Sequence, residues 1–183
     1  MQKFTAEREN DTPDQIWITE HPSVYTLGLN GKSEHLLVPT AIPVVKTDRG
    51  GQITYHGPGQ LIIYPLINLK RLGWGPRQWV TVLENAVIAS CQQYGITAYA
   101  KAQAPGVYVE AKKIASLGLR IKSGYSYHGL SFNNCMNLAP FADINPCGYS
   151  GLAVTQLADL GVKVHNHELA VPIIQQILKA IEA

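Results

Sequence analysis

The hydrophobic pattern of this chain has a helix period in two long segments and a strand period elsewhere. Between Pro76 and Tyr94, apolar side chains recur at three- and four-residue steps, which is typical of an amphipathic helix. Pro76 suits the first turn of that helix and Gly95 suits its end. A second amphipathic helix is predicted over Glu168–Ile181, with Asn166 or His167 at its start.

Short runs rich in β-branched and aromatic residues, bounded by glycine and proline, predict strands. These runs are Gln15–Thr19, a run ending at Gly28, Pro43–Lys46, Gly106–Val109, Ile114–Ile121 and Tyr125–Asn133. We also expect an N-terminal helix over Met1–Glu9 and a short helix over Val154–Leu160. Strands outnumber helices and do not alternate with them one by one, which indicates an α+β fold rather than a doubly wound α/β fold.

The segment from Asp48 to Pro65 combines strand-forming residues with four glycines. Glycine allows positive φ angles or the close approach of another group. A simple hairpin would explain the turns, but it would not explain why Arg49, Tyr55 and His56 lie beside them. We therefore predict a hairpin that lines a ligand site.

Length and composition indicate one folded globular domain. The chain has 183 residues, of which 46% are hydrophobic and 15% charged, with a net charge of +2. No basic block accompanies that charge, which argues against a general nucleic-acid binder, although a small excess would suit an acidic protein partner. No apolar run approaches the roughly 20 residues needed to span a bilayer, and the N-terminus lacks a signal-peptide core. We expect a cytoplasmic protein.

Cysteine usage predicts neither a disulfide framework nor a zinc site, because the count is odd and no C-x-x-C spacing occurs. We expect Cys91, and with less support Cys135, to fill the core. Cys147 differs because Pro146 and Gly148 place it in a turn, where a thiol is accessible to substrate. It is a candidate nucleophile, but a reactive thiol also needs an electropositive neighbour.

Lys113 is a candidate for that neighbour. Lys112 and Lys113 enter a predicted strand together, so their side chains point to opposite faces and one of them can face inward. Sequence spacing leaves open whether both lysines are simply solvated. His56 and His128 each precede a glycine at a strand or turn, where an imidazole ring can face a cavity. One alternative is therefore a Cys–His pair, as in cysteine hydrolases. The other is that both histidines are hydrogen-bonded within the core.

The sequence predicts no metal centre and no nucleotide-binding loop. His165 and His167 lie at a predicted helix start without a third ligand at suitable spacing, so capping or surface positions are expected. No P-loop motif occurs, and the glycines after Arg49 do not open a helix.

The segment Arg49–Gln60, Arg-Gly-Gly-Gln-Ile-Thr-Tyr-His-Gly-Pro-Gly-Gln, resembles the signature of the octanoyltransferases of lipoate biosynthesis. These enzymes are relatives of the biotin and lipoate protein ligases. Further similar motifs follow in the family's order: Lys113-Ile-Ala-Ser-Leu-Gly-Leu-Arg-Ile, His128-Gly and Asn145-Pro-Cys-Gly. The similarity runs from Trp17 to Leu160. The chain begins inside what would be the family's first helix, so we expect residues 1–183 to form a single catalytic domain that lacks part of the N-terminal segment.

The resemblance implies a biotin/lipoate protein ligase-like fold, with mixed sheets flanked by helices, and specific site residues. Cys147 matches the acyl-thioester nucleophile, and Lys113 matches its partner, which lowers the pKa of the thiol. The residues that match the substrate-binding segments are Arg49, Gly50, Gly51, Gln52, Ile53, Thr54, Tyr55, His56, Ser116, Leu117, Gly118, Gly129, Leu130 and Ser131. As walls of a slot for the acyl chain we expect Gly50, Gly51, Tyr55 and Leu117.

The resemblance also implies the reaction. An octanoyl group moves from the phosphopantetheine thioester of acyl carrier protein to a lysine of lipoyl domains, without ATP or a metal. Lipoyl domains of 2-oxoacid dehydrogenase complexes and the glycine cleavage H protein are the implied acceptors. We expect a monomer that binds neither nucleic acid nor membrane.

Four alternatives remain open at the level of sequence. An ATP-dependent lipoate or biotin ligase would need no cysteine at position 147. An amidotransferase would take octanoyl from one lipoyl-type protein to another. A cysteine hydrolase would pair Cys147 with His56 or His128, and a lipoyl-domain binding module would keep its function in Cys147→Ser.

Overall fold

The computed structural model of the protein describes residues 1–146 and 151–183. The helices of these residues are α1 (Gln2–Glu7), α2 (Leu69–Leu72), α3 (Pro76–Gln93) and α4 (Asn166–Glu182). The strands are β1 (Gln15–Thr19), β2 (Val24–Leu27), β3 (Val44–Lys46), β4 (Ile53–His56), β5 (Gln60–Leu66), β6 (Tyr99–Ala100), β7 (Val107–Val109), β8 (Lys112–Lys122) and β9 (Tyr125–Asn133). Short 3₁₀ helices cover Ser33–His35, Ala139–Asp143 and Ala158–Leu160.

The strands form a large and a small sheet. The large sheet has the order β1-β5-β9-β8-β7-β6, and each neighbouring pair in it is antiparallel. The small sheet has the order β3-β2-β4, in which β2 is parallel to β3 and antiparallel to β4. The α+β prediction, with mixed strand directions and flanking helices, is confirmed.

The main core lies between the large sheet and the two long helices. Trp79 and Leu83 of α3, together with Leu169 and Ile173 of α4, are completely buried there. Each such side chain stabilises the fold by about 1.5–3 kcal/mol relative to an exposed one. As predicted, α3 has Pro76 in its first turn. In the part of the chain that the structure describes, no helix is both long and apolar enough to cross a membrane.

The predicted hairpin between β4 and β5 was wrong. β4 pairs with β2 in the small sheet, whereas β5 pairs with β1 and β9 in the large sheet. The Gly57–Gly59 turn therefore carries the chain from one sheet to the other. Gly59 has φ +84°, and a Cβ there would lie 1.8 Å from the Cys135 carbonyl oxygen, so only glycine allows this crossing.

The predicted helix over Val154–Leu160 was also wrong at its first residues. Val154 forms a parallel bridge with Lys113 of β8. The Lys113 amide donates to the Ala153 carbonyl at 2.9 Å, and the Thr155 amide donates to the Lys113 carbonyl at 3.0 Å. These backbone groups find partners on a distant strand, so only Ala158–Leu160 turns helically.

Candidate active site

A cavity of about 300 Å³ lies between the two sheets. The small sheet contributes residues of β2, β3 and β4 to its walls, and the large sheet contributes residues of β5, β8 and β9. Its apolar lining side chains include Val24, Val45, Ile53, Ile62, Leu117 and Leu130. This volume is at the lower end of the roughly 300–1,000 Å³ typical of small-molecule sites. The cavity therefore suits a small ligand with an apolar body.

Most of the predicted substrate-binding residues converge on this cavity. Those that line it are Arg49, Gly51, Gln52, Ile53, Thr54, His56, Ser116, Leu117, Gly118, Gly129, Leu130 and Ser131. They come from three segments that are distant in sequence, and the register of β8 with β9 sets Gly118 opposite Gly129. The pairing of strands brings these three segments together.

Gly50 and Tyr55 do not line the cavity, which corrects the expectation that they form walls of the acyl slot. The Gly50 amide donates to the Leu119 carbonyl at 2.8 Å. The Tyr55 ring packs against Tyr25 and Phe141 in a second, smaller core. Thr54 and His56 line the cavity from one face of β4, and Tyr55 between them points to the second core from the other face. Ile53, at the start of the strand, contacts both the second core and the cavity.

Arg49 forms a buried, positively charged part of the cavity wall. Its Nη2 donates to the Thr26 carbonyl at 2.6 Å, and its Nε and Nη2 both donate to Thr26 Oγ1, at 3.1 and 2.8 Å. Its Nη1 donates to the Gly50 carbonyl at 2.9 Å. A Cβ at Gly118 would lie 2.9 Å from Arg49 Cδ, so glycine at that position leaves room for the arginine side chain. These bonds fix the guanidinium before any ligand binds.

His128 is held at the cavity by Asp48. Its Nε2 lies 2.7 Å from Asp48 Oδ1, and the Tyr127 hydroxyl donates to Asp48 Oδ2. Burial lowers the pKa of His128 despite the nearby carboxylate. Burial alone would raise the pKa of Asp48, but hydrogen bonds donated by Tyr127, His128 and Gln2 lower it below its ordinary value. A neutral His128 can donate its Nε2 proton to the carboxylate, which explains the short contact.

His21 and Tyr64 line the cavity although sequence reasoning did not select them. His21 Nε2 lies 2.6 Å from the Tyr64 hydroxyl. Burial lowers the pKa of His21 and raises that of Tyr64 to about 12, against the opposing charge of Arg49. No local pattern connects two residues 43 positions apart. Tyr64 reaches the cavity from β5, and His21 reaches it from the loop between β1 and β2.

Lys113 lies on β8, three residues before the cavity-lining Ser116, and its side chain is buried. It is 2% exposed, whereas the neighbouring Lys112 is exposed, so one of the two lysines faces inward as anticipated. Its Nζ donates to the Pro105 carbonyl at 3.0 Å and lies 5.2 Å from the centre of the Tyr108 ring. The structure thus holds the side-chain nitrogen of this lysine inside the fold, close to one end of the cavity-lining segment of β8.

Glu84 of α3 lies near this lysine and was not predicted from the sequence. Its Oε1 accepts a hydrogen bond from the Gly106 amide at 2.8 Å. Burial raises the pKa of Glu84, against that hydrogen bond and the charge of Lys113. A Cβ on Gly106 would lie 2.7 Å from the Ala115 carbonyl oxygen and 3.0 Å from Lys113 Cε. Glu84 and Gly106 together shape the space in which the lysine side chain lies.

A comparison with protein families decides where this chain belongs. The model of the lipoyl protein ligase A/B catalytic domain matches residues 1–179. The chain belongs to this family. An octanoyltransferase from Laribacter hongkongensis is 61% identical over 170 residues, which cover 93% of this chain and 82% of that protein. One from Pseudomonas syringae pv. tomato is 53% identical over 182 residues, covering 100% of this chain and 84% of that protein.

A comparison with solved structures shows the fold. The crystal structure of lipoate-protein ligase A bound with ATP superposes with a TM-score of 0.81 at 13% identity. The match covers 99% of this chain and 78% of the ligase. The predicted biotin/lipoate protein ligase-like fold is confirmed.

The cysteines of this family member lie in different environments. Cys91 is buried in the core, as predicted, and burial raises the pKa of its thiol to about 12. Cys135 is exposed, so the prediction that it fills the core was wrong; it follows the end of β9 rather than continuing the strand. Cys147 lies outside the described residues, and its role stays a prediction.

Residues 1–146 and 151–183 contain no group of three or more histidine, cysteine or acidic side chains arranged to hold a metal ion. His165 and His167 stack on each other at the start of α4. The His165 amide donates to Glu168 Oε2 at 3.2 Å, which is part of a capping box. The capping prediction for this pair is therefore confirmed.

Proposed function

We propose that this chain is the octanoyltransferase of lipoate biosynthesis, moving an octanoyl group from acyl carrier protein to a lysine of lipoyl domains. The observation that carries the proposal is the apolar cavity on which the three family segments converge, next to a buried lysine on β8. Octanoyltransferases that are 61% and 53% identical to the chain support the same activity. Residues 1–183 act as one catalytic domain in this account.

Cys147 is proposed as the nucleophile of the first step. Its thiolate attacks the carbonyl carbon of the octanoyl thioester on the carrier's phosphopantetheine. A new C–S bond forms to Cys147, the C–S bond to phosphopantetheine breaks, and the released thiolate takes up the proton of the Lys113 ammonium, which leaves Lys113 neutral. One thioester replaces another, so the step needs no ATP. The cavity receives the octanoyl chain between Ile62, Leu117 and Leu130.

Lys113 is proposed as the partner of that cysteine. As an ammonium group held inside the protein, it stabilises the thiolate by its charge. In the second step the amine of the acceptor lysine attacks the Cys147 thioester and loses a proton, for which Lys113 is the proposed acceptor once it is neutral. The C–S bond to Cys147 breaks as the amide forms, and the Cys147 thiolate and the Lys113 ammonium are regenerated.

The substrate-binding segments have separate proposed tasks. Leu117, Leu130 and the small glycines at 118 and 129 form the acyl slot. Arg49 and His56 lie on its polar side and hold the wall in shape. No metal or nucleotide takes part in this proposal, and the donors and acceptors are acyl carrier protein and lipoyl domains, including that of the glycine cleavage H protein.

A transfer assay tests the proposal. The purified protein is mixed with octanoyl-acyl carrier protein and a lipoyl domain, and the mass of the lipoyl domain is followed with and without ATP. We expect octanoylation at the same rate in both arms. Transfer only from free octanoate with ATP would show a ligase instead, and transfer only from a second octanoylated lipoyl-type protein would show an amidotransferase.

A further inference from the structure

Two buried amides beside the cavity have orientations that are fixed by backbone carbonyls. Gln60 Nε2 lies 3.4 Å from the Tyr55 carbonyl, and Asn133 Nδ2 lies 3.0 Å from the Thr155 carbonyl. A carbonyl oxygen only accepts, so both nitrogens must be the donating ends of their amides. Gln60 Nε2 also donates to Asn133 Oδ1 at 2.9 Å, which agrees with both assignments. The two amides are therefore ordered head to tail.

This order determines the tautomer of His56. Its Nδ1 lies 2.7 Å from Gln60 Oε1, which can only accept, so Nδ1 carries the proton. Its Nε2 lies 3.3 Å from Thr26 Oγ1. That hydroxyl already accepts two hydrogen bonds from Arg49, at 3.1 and 2.8 Å, so its own proton is available to His56 Nε2. A second proton on the imidazole would face a hydroxyl with no free lone pair.

The charged and titratable groups around His56 also favour its neutral form. Burial lowers the pKa of His56 to about 4, and the charges of Arg49, His21 and His128 act in the same direction. The hydrogen bond to Gln60 is the opposing influence. His56 is only 9% exposed, and both of its ring nitrogens are engaged.

We propose that His56 and Gln60 are positioning residues in a one-way hydrogen-bond chain that joins the cavity wall to the strand of Lys113. Each group donates to the next in the order Arg49, Thr26, His56, Gln60, Asn133 and the Thr155 carbonyl. The Thr155 amide then donates to the Lys113 carbonyl. Hydrogen bonds aligned in this way polarise one another, and in a buried site a broken link is costly. The functional part of this inference rests on the proposed octanoyl transfer.

The hydrogen-bond chain explains why His56, although it lies on the cavity wall, does not act as a base. The Nε2 lone pair of His56 accepts the Thr26 proton, and its Nδ1 proton is donated to Gln60 and orients that amide. The chain holds Arg49 at one end and the 153–155 segment against β8 at the other. It therefore fixes the wall of the acyl cavity relative to the backbone of Lys113.

Long-range ¹H–¹⁵N spectra of the wild-type imidazoles test the tautomer independently of activity. We expect His56 to keep its proton on Nδ1 and a bare Nε2 from pH 8 to pH 5. A proton on Nε2, or a titration midpoint near the ordinary value of about 6.5, would overturn the inference. If His56 shows this spectrum but no octanoyl transfer occurs, the proposed function is wrong and the hydrogen-bond chain is still supported.

Two isosteric variants test the functional role. Gln60→Glu removes the donor to Asn133 and places a carboxylate on His56 Nδ1, so we expect the His56 midpoint to rise by at least one pH unit. Asn133→Asp removes the donor to Thr155. In both we expect kcat for transfer to fall at least tenfold with a KM for the acyl donor that changes less than twofold.

Asn134→Asp is the matched control. Asn134 is also a buried amide and follows Asn133 directly, but it donates to the Val164 carbonyl and to Asn166, outside the chain. We expect it to lose stability while leaving the His56 spectrum and kcat unchanged. If all three variants lose activity in proportion to their loss of stability, the hydrogen-bond chain contributes to stability alone and the inference is overturned. If Gln60→Glu does not fold, the wild-type spectrum still decides.

Discussion

At the scale of single residues, Lys113 carries the sharpest prediction. Lys113→Met keeps most of the length of the side chain and removes its charge, and we expect the rate of octanoyl transfer to fall by about 100-fold or more. The loss follows from removing the charge that is proposed to stabilise the Cys147 thiolate. Initial rates of lipoyl-domain octanoylation measure the effect.

Lys112→Met is the control for that variant, because the neighbouring lysine is exposed and enters the same strand. It should retain the wild-type rate. A Lys113→Met protein with more than half of the wild-type rate would contradict the role of this lysine.

Gly106→Ala tests the space in which Lys113 lies. The added Cβ would lie 2.7 Å from the Ala115 carbonyl and 3.0 Å from Lys113 Cε, at a φ of +135°. We expect unfolding to become easier by about 1–3 kcal/mol, and transfer to slow because the lysine must move. Urea denaturation and initial rates measure the two effects separately.

Gly73→Ala serves as the comparison for Gly106→Ala. Gly73 also has positive φ, +67°, but a Cβ there would meet no atom within 4 Å. The φ of Gly73 lies in the left-handed helical region, which costs a non-glycine residue less than the φ of Gly106 does, and no clash adds to that cost. Stability should therefore fall by about 1 kcal/mol and the rate should not change. Equal transfer rates in Gly106→Ala and Gly73→Ala would contradict the expectation that a Cβ at position 106 displaces Lys113.

At the scale of elements, the contact between β5 and β9 depends on Gly129. A Cβ at this position would lie 2.0 Å from the Ile63 carbonyl oxygen, which is backbone and cannot turn away. We expect Gly129→Ala to lower the free energy of unfolding by about 3 kcal/mol. Gly75→Ala, where nothing lies within 4 Å, should change it by less than about 1 kcal/mol. Equal denaturation midpoints for the two variants would show that β5 and β9 do not approach as described.

Local sequence predicted the elements of this fold better than their partners. The strands Gln15–Thr19 and Tyr125–Asn133 and the helix from Pro76 have the predicted bounds or nearly so. The β4–β5 hairpin failed because strand character and a glycine turn do not say which sheet each strand joins. All four residues of β4 are buried, and the alternation of apolar and polar residues along it indicates which side chains share a face but not which strand it pairs with. The change of sheet at Gly57–Gly59 also opens the cavity between the sheets.

Site residues that belong to a family motif could be predicted from the sequence. Site residues that reach the cavity only through the pairing of strands could not. Arg49 and Leu117 were found from the family motifs. Thr26 reaches the cavity from β2, His21 from the loop before β2, and Tyr64 from β5. No local sequence pattern connects these three elements. The misplaced Tyr55 was avoidable, since alternation along a strand sets it opposite to its neighbours Thr54 and His56.

At the scale of the whole molecule, the buried histidines predict a loss of stability on acidification. Burial lowers the pKa values of His21, His56 and His128 in the folded state, so the unfolded chain binds protons first as the pH falls below about 6.5. Stability is therefore full above that value and decreases towards pH 4. For His56, with a folded pKa of about 4, the loss is on the order of 3 kcal/mol.

Urea denaturation between pH 7.5 and pH 4.5 measures how the free energy of unfolding changes with pH. His56→Gln should make this pH dependence weaker, because glutamine has no proton to take up. A wild-type protein with the same free energy of unfolding at pH 7 and pH 4.5 would contradict the neutral, buried state of these histidines.

The central claim is that the protein carries the octanoyl group on Cys147 without ATP. Intact-protein mass spectrometry after mixing with octanoyl-acyl carrier protein, in the absence of ATP and acceptor, tests it most directly. Cys147→Ser is compared with wild type and with Cys135→Ser, which removes an exposed thiol elsewhere. The account predicts one octanoyl adduct on wild type and on Cys135→Ser, and none on Cys147→Ser. An adduct that persists in Cys147→Ser, or a folded wild-type protein that gains no adduct until ATP is added, would contradict it.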